Sequence, residues 1–126
     1  MRRAVGICAA ALGASAVALG AFGAHALQSR LDEAALRIWH TAVEYQFWHA
    51  LALAALAGLI PTPASPVWRA SANAFIAGSL LFCGSLYGLA LGAPPWVGVV
   101  TPFGGVALMA GWLLLGAALW RGKSSP

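Results

Sequence analysis

The chain has 126 residues, 61% of them hydrophobic and only 8% charged, with a formal net charge of +4. Soluble domains carry about 25% charged residues, so the composition excludes an ordinary soluble domain and points to an integral membrane protein. The positive balance does not indicate nucleic acid, because Arg2, Arg3, Arg69, Arg121 and Lys123 flank apolar runs rather than forming a basic stripe interleaved with aromatics.

Four apolar segments, about 4–27, 42–60, 67–91 and 102–120, are each long enough to cross a hydrocarbon core of about 30 Å at about 1.5 Å per residue. They predict one transmembrane domain over 1–126, with no room for a separate soluble unit. The first segment carries Gly6, Gly13 and Gly20 with Ala10, Ala16 and Ala24 on the same face, a surface on which helix backbones approach closely. Its start, Met1-Arg2-Arg3, and the Ala24-His25-Ala26 that follows it resemble a signal peptide with its cleavage site. However, the apolar stretch runs past the usual ~7–15 residues, so the reading is a retained helix.

All three histidines and all three acids fall between His25 and His49. Within that stretch Ser29, followed by Asp32 and Glu33, reads as a helix start with Ser29 as N-cap. Glu33 and Arg37 stand at i and i+4. The pattern predicts a short amphipathic helix at the outer interface between the first and second spans, bending into the second, with Trp39 and Trp48 bracketing the point where the chain enters the bilayer.

The loop Pro61-Thr62-Pro63-Ala64-Ser65-Pro66 is a rigid turn in which Ser65 caps and Pro66 opens the third helix, and Thr101-Pro102 does the same for the fourth. The third span repeats the small-residue device with Gly84, Gly88 and Gly92. The packing glycines singled out are therefore Gly13, Gly20, Gly84 and Gly88. Cys8 and Cys83 lie at different depths and are read as packing residues rather than a disulfide.

Five lysines and arginines on the side of the termini, against Arg30 and Arg37 on the other, place both termini in the cytoplasm. With that orientation the outer leaflet collects His25 from the first helix, Glu44, Tyr45, Gln46 and His49 from the second, Ser85 and Tyr87 from the third, and Thr101 at the start of the fourth. The opposite half contributes little beyond Ser15, Asn73 and the flanking arginines. Helical phase divides the set. His49 lies about 60° from Gln46 and about 40° from Tyr45, but about 140° from Glu44, so Glu44 and His49 do not share a face.

The stretches GAFGAH (20–25), TAVEYQFWHALAL (41–53), LFCGSLYGLAL (81–91) and VTPFGGVALMAGW (100–112) resemble the small four-helix membrane proteins of the transmembrane protein 256 group, whose bacterial members include the YgdD-like inner-membrane proteins. The resemblance covers all four spans in order. It implies an all-α integral membrane four-helix bundle in a bacterial inner (plasma) membrane, with both termini cytoplasmic, and it brings no biochemical activity or catalytic set.

Three sharp chemistries meet objections in the residues themselves. A metal site of His25, His49 and Glu44 lacks a helix-face ligand spacing and is split by phase. A proton or ion path would use Glu44 and the histidines, but the opposite half offers nothing deeper than Asn73 and Ser15 to continue it. Acid–base pairs such as Ser85 with Tyr87, or His25 with Glu44, come without a nucleophile–base motif.

The sequence therefore predicts a non-enzymatic protein without cofactor or metal. It is an accessory protein, or one binding a lipid or small molecule, with a polar outer-leaflet site of His25, Glu44, Tyr45, Gln46, His49, Ser85 and Tyr87. In that site Gln46 and His49 form the inward pair and Tyr87 is the gate. A small proton- or ion-coupled transporter is the alternative. Expected partners are the bilayer and a membrane subunit or a second copy, with no nucleic acid.

Overall fold

The computed structural model describes residues 1–122, and all regular structure among them is helical. Lys123, counted above with the C-terminal charges, lies outside the described residues. Helices α1 (Arg2–His25), α2 (Glu33–Leu59), α3 (Pro66–Ala90) and α4 (Val100–Gly122) run alternately up and down, with a 3-10 turn at Pro95–Val99 leading into α4. α1 packs on α2, α2 on α3 and α3 on α4, an order that follows from connections too short to skip a neighbour.

α1, α3 and the stretch Pro95–Gly122 are long and apolar enough to cross a membrane. α2 is as long but carries Glu44, Gln46 and His49. It lies between α1 and α3, and Gln46 and His49 are buried in the bundle while Glu44 stays exposed. The chain is a multi-pass membrane protein built as an all-α bundle. In lipid no water drives the helices together, so small residues, close packing and interhelical hydrogen bonds hold them. The main core joins Val5 and Ala9 to Leu53, Leu56 and Ile60, then to Trp68, Phe75 and Leu108. A second cluster gathers Leu27, Trp39 and Ala90 at the His25 end.

Several sequence expectations need correction. No separate amphipathic helix precedes the second span. Glu33 to Leu59 is one 27-residue helix, in which the first glycine is Gly58 and no proline occurs, so nothing breaks it at the interface. Its N-cap is Asp32, whose side chain accepts the Ala35 N–H at 2.8 Å, and not Ser29, which sits in the turn after α1. The Glu33–Arg37 pair does form, at 3.3 Å. Trp39 is not an interfacial anchor but a buried residue donating its indole N–H to the Leu19 carbonyl at 2.9 Å.

Pro66 opens α3 as expected, with Ser65 at the N-cap position but without a side-chain bond to the helix. α4 begins at Val100 rather than at Thr101-Pro102, because the 3-10 turn has already set the chain on its helical course. Both cysteines are free.

The close helix contacts fall at different glycines from those expected on α3. Nothing lies within 4 Å of where a Cβ on Gly84 would sit. A Cβ on Gly104 of α4 would strike the Phe82 backbone, and one on Gly111 would come within 2.7 Å of the Phe75 ring. Gly78 likewise leaves room for Leu108, at 2.8 Å. On α1, Gly20 meets Val43 and Gly23 meets Trp39, at 3.2 Å and 2.5 Å. These glycines draw α1 onto α2 and α4 onto α3.

Candidate functional site

Gln46 is the centre of a polar belt across α1, α2 and α3. Its amide nitrogen donates to the Leu12 carbonyl at 2.9 Å and to the Ser15 hydroxyl at 2.7 Å. Its amide oxygen accepts from the Tyr87 hydroxyl at 2.7 Å. Ser15 in turn donates to the Ala11 carbonyl at 2.7 Å. About two turns toward the His25 end of α2, Trp39 meets Tyr87 edge-on, with ring centroids 4.7 Å apart. A buried amide without partners in an apolar surround costs several kcal/mol. Here both of its donors and its acceptor are used, so the belt fixes register among three helices.

His49 lies one turn deeper, about 60° round the helix from Gln46, and reaches α4. Its Nδ1 stands 2.7 Å from the Tyr45 carbonyl, and its Nε2 stands 3.1 Å from the Trp112 indole nitrogen. The indole can only donate and the carbonyl can only accept. The two contacts therefore assign the neutral tautomer, with the proton on Nδ1 and the lone pair on Nε2. Between α3 and α4 the Ser85 and Thr101 hydroxyls meet at 2.6 Å, and Ser71 donates to the Gly111 carbonyl at 2.8 Å.

Beside His49 a groove of about 770 Å³ opens between α2 and α4. Tyr45 and Trp48 form its α2 wall, Met109 and Trp112 its α4 wall, and Phe82 of α3 its floor. Tyr45 packs against both Phe82 and Trp48, with centroids 4.5 Å and 5.1 Å apart. Trp48 and Trp112 remain 50% and 49% exposed, so their rings face whatever enters. The volume falls within the usual ~300–1,000 Å³ range of small-molecule pockets, which are mostly apolar with few polar groups.

The seven residues singled out from the sequence do not form one site. Gln46 and Tyr87 meet each other in the belt; Tyr45 and His49 meet at the groove; Ser85 joins Thr101 between α3 and α4. Gln46 and His49 do not bond to each other, since each is committed to a different neighbour. Tyr87 points into the belt rather than standing as a gate. His25 and Glu44 are exposed and belong to neither group. Among the described residues, histidine, cysteine, aspartate and glutamate form no group of three able to hold a metal.

Sequence reasoning missed Ser15 as a belt member and Trp112, Phe82 and Met109 as groove walls. The α4 face has a signal in Pro102, Gly105, Met109 and Trp112, spaced three to four apart, but α4 is apolar all round and offers no contrast to pick it out.

Residues 19–105 match the family described as "Protein of unknown function (DUF423)". The chain is 43% identical over 110 residues to the UPF0382 inner membrane protein YgdD of Escherichia coli K12, covering 86% of this chain and 83% of the relative. It is 38% identical over 102 residues to the UPF0382 membrane protein YwdK of Bacillus subtilis, covering 79% and 82%. A UPF0382 membrane protein of Haemophilus influenzae is 40% identical over 108 residues, covering 86% of each chain. No solved structure matches the chain. A match over most of the sequence, on a multi-pass helical bundle, makes this chain a member of the DUF423 family of membrane proteins, whose function is not established.

Proposed function

We propose that the protein is a non-enzymatic plasma-membrane protein that binds a lipid or a comparably apolar small molecule in the groove between α2 and α4, with both termini cytoplasmic. The groove itself carries the reading: about 770 Å³ walled by Tyr45, Trp48, Phe82, Met109 and Trp112, with His49 as its polar lining side chain besides the Tyr45 hydroxyl and the two indoles. The His49 ring nitrogens are already used by Tyr45 and Trp112, so the groove recognises shape and aromatic surface before it recognises hydrogen-bonding groups. A proton relay through Gln46 and His49 is disfavoured, because their hydrogen bonds go to different partners rather than to each other and the Gln46 amide does not titrate. The orientation rests on Arg2, Arg3, Arg69, Arg121 and Lys123 at one end against Arg30 and Arg37 at the other. The name of the Escherichia coli relative, an inner membrane protein, supports the location.

The test is photolabelling in bilayers with a phospholipid carrying a diazirine on its acyl chain. Adducts concentrated on Trp48, Phe82, Met109 and Trp112, and competed away by excess unlabelled lipid, are the expected result. Labelling spread equally over outward residues such as Ile7, Val17 and Leu113 would overturn the reading, since these face lipid without lining a groove.

A further inference from the structure

The end of the bundle where α1 and α3 begin and α2 and α4 finish carries Arg2, Arg3, Arg69 and Arg121. The acids Asp32, Glu33 and Glu44 all lie at the N-cap or in the first half of α2, which starts from the other end. Arg2 is already committed. Its guanidinium donates to the Ala57 and Gly58 carbonyls at 3.1 Å and 3.2 Å, closing the last turn of α2. Arg69 is not: among the described residues its guanidinium has no hydrogen-bond or ion-pair partner, and neither has the side-chain amide of Asn73, one turn further along α3. Asn73 stands inside a span long enough to cross the membrane, where an amide without a partner is costly.

Both side chains open on one space. α1 and α3 each pack on α2 and leave between them a cleft of about 210 Å³. Arg69, Asn73 and Ile76 line its α3 side, and Ala4, Val5 and Cys8 its α1 side. Arg69 also lines an adjoining cleft of about 190 Å³ bordered by Arg2. At i and i+4 on α3, Arg69 and Asn73 share a face and lean toward the N-terminus, away from the bilayer interior. The cleft is therefore cationic and hydrogen-bonding at its mouth and apolar beneath.

We infer that this cleft holds an anionic phospholipid, with its phosphate on Arg69, an ester carbonyl on the Asn73 amide and an acyl chain over Cys8 and Ile76. A phospholipid presents its acceptors in that order, phosphate outermost and ester carbonyls beneath, and one helical turn of about 5.4 Å separates the two donors. Arginine meets phosphate oxygens with paired N–H bonds. No acid lines either cleft, so the ammonium of phosphatidylethanolamine would face Arg69 and Arg2 with no carboxylate to receive it. A head group of net negative charge meets only bases there. The site shares no lining residue with the groove between α2 and α4 and does not depend on the reading of that groove.

The experiment uses the full chain in a mild non-ionic detergent. Bound lipid is counted by native mass spectrometry during titration with phosphatidylglycerol or with phosphatidylethanolamine of the same acyl chains. The readout is the difference between the two, because a lipid held by apolar surface alone does not tell them apart. Wild type should bind the first phosphatidylglycerol about tenfold more tightly. Arg69→Gln should abolish that preference. Arg3→Gln takes the same charge from the same end without lining the cleft, and should leave it intact. Asn73→Ala should weaken both lipids alike, about threefold, since both carry esters. The variants should keep the helicity of wild type, because neither cleft donor bonds within the described residues. Equal losses from Arg69→Gln and Arg3→Gln would overturn the site in favour of a diffuse basic surface. Equal binding of the two lipids by wild type would overturn the choice of an anionic one. Displacement of phosphatidylglycerol by inorganic phosphate at matching concentration would overturn the assignment to a lipid.

Discussion

On the side of α2 that faces α1 and α3, Gln46 uses both amide hydrogens and its oxygen on Leu12, Ser15 and Tyr87. Gly20 and Gly23 there bring the α1 backbone against Val43 and the Trp39 ring. On the side that faces α4, the direct bond runs from Trp112 to His49, and half-exposed rings line an open groove. The two sides use the same kinds of residue for different ends. Where polar groups find each other across closely packed helices they fix register and leave no surface. Where α4 is drawn onto α3 by Gly104 and Gly111 instead of onto α2, the aromatic faces of α2 and α4 stay uncovered. Rigidity on one side is what makes an unfilled space tenable on the other.

The largest way to break this contrast is to push α4 off α3. A Cβ at Gly104 would strike the Phe82 backbone, which cannot rotate away as a side chain could. Gly104→Ala should cost about 3 kcal/mol, the upper part of the range for overpacking, read as lost resistance to unfolding in a graded detergent titration. Gly84→Ala is the control: nothing lies within 4 Å, so it should keep or slightly raise stability through better helix propensity. Equal losses for the two would mean that α3 and α4 are not in close backbone contact.

Next in size is the belt. Gln46→Leu keeps much of the volume but strands the Tyr87 hydroxyl, while the Leu12 carbonyl keeps its partners within α1. It should cost about 1–2 kcal/mol. Tyr87→Phe should cost less, and the double variant less than the sum, because both remove the same bond. Strict additivity in this cycle would show that the Gln46–Tyr87 bond contributes nothing in the membrane.

The belt was more legible in the sequence than the groove, for a physical reason. Polar residues in an apolar helix stand out, and depth alone puts Gln46 and Tyr87 at one level, where they meet at 2.7 Å. Phase separates Glu44 from His49 by about 140°, and one is exposed while the other is buried. Ser15 escaped because it sits in the half of α1 whose polar residues looked isolated, although Gln46 is long enough to reach it. The length of α2 was hidden by the charge at its start, which resembles a surface helix whether or not it continues into a span. The groove depends on which helix leaves a gap. That follows from glycines on α4, where Gly104 and Gly111 touch α3 and Gly116 touches nothing, a difference no single sequence displays.

The smallest expected effect probes the Trp112–His49 bond that crosses the groove. Trp112→Phe removes the donor to His49 Nε2 while keeping an aromatic wall, and bonds of this kind within membranes average about 0.6 kcal/mol. Stability should therefore change little, and the sharper readout is the imidazole itself. In the native protein the Trp112 N–H and the Tyr45 carbonyl hold the ring in the form protonated on Nδ1. Without the indole donor, Nε2 faces an apolar groove unpaired, and the ring is free to reorient. Nitrogen-15 spectra of His49 should show one fixed tautomer in the native protein and averaged or split ring signals in the variant. Identical spectra would mean that the Tyr45 carbonyl alone sets the ring. The groove would then be open along its whole length, with α2 and α4 sharing no polar contact.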